Sequence, residues 1–258
     1  MNGQLFVIGT PIGNLEDITL RAIKTLNEVS IIACENIPRT RILLSHLDIR
    51  HKKLIECSPS NEQNSALGII SLLEQGESVA LVSDAGTPSV SDPGVRVVKS
   101  VSEAGFNVIP IPGVSALTTI LSVAGIGGEN VVFTGFLSKK EGQITKTLQE
   151  FAHKNNVLVV FVSCHRIKKF LKILKELSIS ADICLGKELT KSYEKIYRGS
   201  AEEIDTLLLE QEVKGEFVIV IRFLEEIPCL DKESSFSKKE KRKQKQLKKI
   251  LENETGIV

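Results

Sequence analysis

The chain has 258 residues, enough for one large domain or two modest ones at roughly 150 residues each. With 42% hydrophobic and 25% charged residues, 18 Gly and 8 Pro, its composition excludes a disordered or collagen-like chain. The net charge of +1 is unevenly spread: the segment from Lys232 to Lys249 holds nine Lys/Arg against two Glu, or +7, which leaves the remainder near −6.

In chain order, Leu5 to Gly9 reads as a strand, with no basic region or cleavage site before it, so no secretory signal is expected. Ile18, Ala22, Ile23 and Leu26 have the spacing of a helix face. Val29 to Cys34 and Lys53 to Cys57 read as strands, and Ala66 to Leu73 as a helix ended by Gly76. Ser78 to Val82 is a strand, Gly94 to Ala104 a helix stopped at Gly105, and Asn107 to Ile111 another strand. This alternation predicts an α/β domain with a mostly parallel sheet over residues 1–113.

After Pro112-Gly113 a second cycle begins. Leu117 to Ala124, Ile167 to Leu177 and Ala201 to Leu209 read as helices. Val131 to Phe133, Val157 to Val162, Asp182 to Leu185, Tyr193 to Arg198 and Phe217 to Phe223 read as strands. The strands lie closer together here, so residues 114–226 are expected to form a mixed α/β domain. Residues 227–258 form a basic tail that reads either as a solvated end or as a contact for a polyanion. No apolar run approaches the roughly 20 residues that cross a bilayer. The five cysteines, at 34, 57, 164, 184 and 229, form no CxxC, which points to a reducing cytoplasm and to no metal site. The four histidines show no HExxH, and neither a P-loop nor a GxSxG elbow occurs.

Three strand-to-helix loops stand where open α/β sheets bind ligands. Gly9-Thr-Pro-Ile-Gly-Asn14 is a rigid turn but not a GxGxxG. Ser83 to Gly94 reads SDAGTPSVSDPG. Its Asp92 and Pro93 read as the N-cap and first residue of the next helix. Ser83 to Pro88 is rich in small residues that let a ligand approach the backbone. In Ile111-Pro-Gly-Val-Ser-Ala116, Ser115 reads as another N-cap. Together the loops favour a small-molecule site more than any one does alone.

TPIGNLEDITLRA (Thr10 to Ala22), LVSDAGTPSVSDPG (Leu81 to Gly94), IPGVSA (Ile111 to Ala116), FTGFL (Phe133 to Leu137), KELTKSYE (Lys187 to Glu194) and KGE (Lys214 to Glu216) occur in this order. Together they resemble the tetrapyrrole methylase superfamily. Within it, they are most similar to the bacterial subgroup that methylates the 2′-oxygen of a cytidine ribose in small-subunit ribosomal RNA. The resemblance implies two α/β domains, S-adenosylmethionine in the cleft between them, and a homodimer. It further implies that Pro11, Ser83, Asp84, Ala85, Gly86, Ser115, Ala116, Phe161, Leu189 and Thr190 surround the cofactor. Asn14, Asp17, Arg41, His165 and Arg166 are expected to face RNA. Ribose hydroxyls are poor nucleophiles, so a base or cation should assist. Glu35 is the candidate proton acceptor and Lys191 the candidate cation, oriented by Glu188.

The chain departs from the family pattern at Glu35-Asn-Ile-Pro-Arg-Thr-Arg41, near Ser60-Asn61-Glu62 where a His is usual and missing, at Ser163-Cys-His-Arg166, and at Val114. A tetrapyrrole C-methylase and a non-catalytic S-adenosylmethionine- or RNA-binding relative are the alternatives, and the TPIGNL form of the first loop argues against the former.

Overall fold

A computed structural model describes residues 3–153, 156–177, 180–209 and 214–225 of the chain. The basic segment from Lys232 to Lys249 lies outside them. Two five-stranded sheets follow one another along the sequence.

The first sheet contains β1 (Leu5–Ile8), β2 (Ile31–Cys34), β3 (Lys53–Glu56), β4 (Val79–Val82) and β5 (Val108–Ile111), in spatial order β3-β2-β4-β1-β5. Every pairing in it is parallel. β2 and β4 are buried throughout because helices cover both faces, which explains their unbroken apolar runs. The helices are α1 (Leu20–Glu28), α2 (Ile37–His46), α3 (Glu62–Glu74) and α4 (Val95–Glu103).

The second sheet has β6 (Asn130–Phe136), β7 (Asn156–Ser163), β8 (Ala181–Lys187), β9 (Lys195–Gly199) and β10 (Glu216–Phe223), in order β6-β7-β10-β8-β9. It is mixed: β6 and β7 are parallel, while β10 runs antiparallel to β7 and β8. One face carries α6 (Glu141–Phe151), α7 (Ile167–Glu176) and α8 (Ala201–Leu209). The other face packs on α5 (Ala116–Ala124), through Ile120 and Ala124 against Val218 and Val220.

Some elements differ from the sequence reading. α2 begins where the family pattern breaks. The Asn36 side chain accepts from the Arg39 N–H at 3.1 Å and Pro38 sits in the first turn, an ordinary capped start. α6 is a further helix that the sequence reading lacks. Tyr193 is not in a strand: it lies in a turn, 80% exposed, and β9 starts at Lys195. α4 begins one turn after Asp92, with Gly94 at the cap position. Its cap is the buried Glu62 of α3, whose Oε1 accepts from Gly94 N at 2.9 Å and Arg96 N at 2.8 Å. Asp92 is thereby released from capping.

Candidate active site

The three loops leave the carboxyl ends of β1, β4 and β5, and they are tied together. Buried Thr10 exchanges backbone hydrogen bonds with Gly86, at 2.8 and 3.0 Å, and its hydroxyl donates to the Ser83 carbonyl at 3.1 Å. Gly9 lies against Gly113 so closely that a Cβ on Gly9 would stand 2.8 Å from the Gly113 nitrogen. A side chain at either position would drive the first and third loops apart.

Several contacts join this loop body to the second half of the chain. Asn14 N donates to Thr190 Oγ1 at 3.0 Å, and a Cβ on neighbouring Gly13 would meet Lys191 Cγ at 2.4 Å. Ser91, at a left-handed φ of 67°, packs against Gly135, where a register shift breaks the β6–β7 pairing.

Between loop body and sheet lies a cavity of about 430 Å³. The loop side supplies Ile12, Ala85, Gly86, Asp92, Ser115 and Ala116. The opposite wall includes Phe136, Phe161, His165, Leu189 and Glu216. Phe161 meets Phe133 and Phe136 edge to face, with centroids 4.9 and 5.5 Å away, a stiff apolar surface.

Of the residues expected around a cofactor, Ala85, Gly86, Ser115, Ala116, Phe161 and Leu189 line this cavity. Pro11 is buried behind its neighbour Ile12, and Ser83 is buried with its hydroxyl turned to the Ala85 and Gly86 carbonyls. Asp84 points away to pair with Arg39 at 3.1 Å, and Thr190 supports the Asn14 contact. These four brace the lining rather than form it. Ser115 holds the cap position of α5 without a side-chain cap hydrogen bond.

Carboxylates gather on the loop side. Burial, together with the charges of Glu35, Asp84 and Glu216, pushes the Asp92 carboxyl up to about 6. Burial first and Asp84 second raise Glu35, against a hydrogen bond from the Asp84 backbone and the charge of Arg39. Burial also raises Asp84, and Arg39 opposes it.

Lys191 sits in a carboxylate clasp, its Nζ 2.9 Å from Glu216 Oε2 and 3.1 Å from Glu188 Oε1. Burial alone would lower its pKa, but these two partners raise it, so it stays an ammonium. Burial would raise Glu188 in turn, and the Glu216 backbone N–H and Lys191 outweigh it. Glu188 and Glu216 together thus hold the Lys191 ammonium.

Among the residues expected to face RNA, Asn14 caps a 3-10 turn over Leu15–Asp17 by accepting from Glu16 N. Asp17 in that turn keeps a buried Oδ2 without a partner among the described residues. Arg41 is exposed on α2, away from the cavity, while His165 lines it. Arg166 begins α7, and its guanidinium donates to the Leu137 and Ser138 carbonyls, pinning the turn after β6. No group of His, Cys, Asp or Glu side chains that could hold a metal ion occurs among the described residues.

The sequence profile described as Tetrapyrrole (Corrin/Porphyrin) Methylases matches residues 4–205, a span that includes all three loops and β1 to β9. The chain belongs to the tetrapyrrole methylase family. A relative from Coprothermobacter proteolyticus, named Ribosomal RNA small subunit methyltransferase I, is 41% identical over 218 residues, covering 84% of this chain and 97% of the relative. A protein of the same name from Bacillus subtilis is 36% identical, over 85% of this chain and 75% of its own length. Among solved folds, a uroporphyrin-III C-methyltransferase from Thermus thermophilus, complexed with S-adenosyl homocysteine, aligns with a TM-score of 0.60 at 18% identity, over 84% of this chain and 97% of that one. In this tetrapyrrole methylase the lining residues missed by sequence reasoning include Ile12, Phe136, Glu216 and above all Asp92. Its SDPG setting imitates a helix start, and only the distant Glu62 cap reveals otherwise.

Proposed function

We propose that the chain transfers a methyl group from S-adenosylmethionine to the 2′-oxygen of a cytidine ribose in small-subunit ribosomal RNA. The observation that carries the reading is the cavity between loop body and second sheet. Its volume falls within the roughly 300–1,000 Å³ of small-molecule sites. Its two walls match the two ends of the donor. Phe136, Phe161 and Leu189 offer an apolar face for the adenine. Asp92 and Glu216 offer negative charge to a sulfonium and an ammonium, and the Ala85–Gly86 backbone offers polar groups to the methionine end. When bound, S-adenosylmethionine supplies an already activated methyl group. The choice of substrate is supported by the relatives named above and by the TPIGNL and SDAGTP loops of this chain.

The protein's part is then alignment, exclusion of water and removal of one proton. Asp92 lines the cavity and is poised near neutrality, so it is the better acceptor for the ribose hydroxyl proton. Glu35 stands behind it and tunes its charge. Lys191 is a fixed cation held by Glu216 of the cavity wall and by Glu188, suited to a phosphate or to the developing alkoxide. Asn14, Asp17 and His165 lie on the RNA side of this arrangement. Residues 1–113 and 114–226 serve as the two domains. The chain acts in the cytoplasm as a homodimer. No helix among the described residues is long and apolar enough to cross a membrane.

The test is methyl transfer from labelled donor to unmodified small ribosomal subunits, with alkaline cleavage of the RNA. One cytidine ribose should become resistant. Label entering a tetrapyrrole and not RNA would overturn the reading, as would donor binding without any transfer.

A further inference from the structure

A second hollow, of about 400 Å³, lies at the outer edge of the first sheet, between α2 and the segment that enters β3. Leu44, Ile49 and Leu54 form its apolar floor. Arg41, Arg50 and His51 are exposed on its walls. Three permanent cations line it, Arg41, Arg50 and Lys52, against one carboxylate, Asp48, a net of +2. That surplus sits on a chain whose residues outside Lys232 to Lys249 total about −6.

The cations are not equivalent. Lys52 is spent within the fold, donating to the Asn27 and Val29 carbonyls at 2.7 Å each, where it closes the end of α1. Arg50 is held flat by Asp48, since Nε and Nη2 both donate to Oδ1, at 2.9 and 2.7 Å, while the side chain stays 76% exposed. That leaves Nη1 of this largely exposed side chain without a partner among the described residues, available to an oxyanion. Arg41 has no ion-pair or hydrogen-bond partner among the described residues. Asp48 and His51 both hold left-handed φ values, 53° and 59°, which fold the connecting segment back beside α2. Such conformations are uncommon outside glycine and cost free energy wherever they persist.

The hollow is remote from the methyl-transfer cavity. That cavity lies beyond the carboxyl ends of β1, β4 and β5, whereas Arg50 to Lys53 stand at the amino end of β3, the outermost strand. A four-residue strand alone separates the two ends by about 13 Å. An occupant that meets both is extended and anionic.

We propose that this hollow holds backbone phosphates of the RNA substrate, with Arg41 and Arg50 as the contacts and His51 as an added ring N–H donor. The proposal rests on the reading that ribosomal RNA is the substrate. Phosphate contacts of this kind position the substrate and do not read its bases. Each one that is lost lowers the log–log dependence of affinity on salt by about 1.

The experiment measures binding of unmethylated small ribosomal subunits between 50 and 200 mM KCl. The R41A/R50A double variant should bind more weakly, with its salt slope reduced by about 2, and with S-adenosylmethionine affinity unchanged. The control is K24A/K99A, which removes the same charge from exposed lysines of α1 and α4. It should keep the wild-type slope. A slope for R41A/R50A within about half a unit of wild type overturns the proposal, and so does an equal loss in both double variants. If wild type fails to methylate these subunits at all, the substrate assignment falls. If wild type methylates them while R41A/R50A keeps its slope, the hollow alone is excluded.

Discussion

Asp92 titrates near 6 in the folded chain, against 3.8 for the free side chain. Between those values the folded protein binds more protons than the unfolded one, so stability falls as pH rises through that window. Above about 6 the ionised carboxyl counts fully against the fold. Asp92→Asn should therefore melt higher than wild type at pH 7.5, with the gain shrinking toward pH 4, as thermal scans across that range would show. The same substitution should slow single-turnover methyl transfer by about 10²- to 10⁴-fold. Wild-type rate should climb with pH and level off above about 6. A variant as fast as wild type would remove Asp92 from the proton path. Lys191→Met makes a linked case. Without the ammonium, Glu188 keeps only the Glu216 backbone N–H and the Glu216 carboxylate loses its cation, and Glu216 already pushes Asp92 upward. The midpoint of the pH–rate curve should move to higher pH. A midpoint that stays put would mean that clasp and carboxyl are electrically separate. Residue types in the loops were readable from sequence, but their roles were less so. Asp92 looked like a cap because the true cap lies on α3, and no local spacing reveals a partner thirty residues away.

Among elements, α4 depends on that borrowed cap. Glu62→Ala leaves the Gly94 and Arg96 N–H groups without their acceptor and should cost about 2 kcal/mol in urea unfolding. Because α4 follows directly on the Asp92 turn, the variant should lose activity at temperatures where it is still folded. Unchanged stability would mean that water replaces the carboxylate fully. The alternation of strands and helices was readable because β2, β4 and β7 are short apolar runs buried on both faces. α2 escaped because its face is interrupted: exposed Arg41 and Ile42 separate the buried Thr40 from Leu43 and Leu44, and Arg39 and Ser45 flank them. α6 buries only Ile144 and Leu148 among many polar neighbours, a stripe too thin to read as a helix. Tyr193 resembled a strand residue by type alone, and type says little about an exposed turn.

At the scale of the whole molecule, the basic segment from Lys232 to Lys249 adds +7 to a chain that is otherwise acidic. A chain ending at Glu226 should bind small ribosomal subunits with a salt slope lower by about 2–4, while donor affinity holds. Equal slopes would assign the segment no phosphate contact. Sequence reading reached two α/β halves, one parallel and one mixed, but not the spatial order of the strands, which depends on contacts far apart in the chain. That order, β3-β2-β4-β1-β5, sets a timetable for synthesis. β1 is made first, yet both of its neighbours come late: β4 follows about seventy residues behind and β5 about a hundred. At roughly 5–20 residues per second, β1 is without either neighbour for about 4–15 s. Meanwhile β2 and β3 emerge and pair, leaving an edge that β4 has yet to cover. The nascent chain thus carries bare, apolar strand edges, which invite pairing with other chains. Pro110 in β5 closes the period: it lacks an N–H on the last strand to arrive, so the finished edge is a poor template for a further strand.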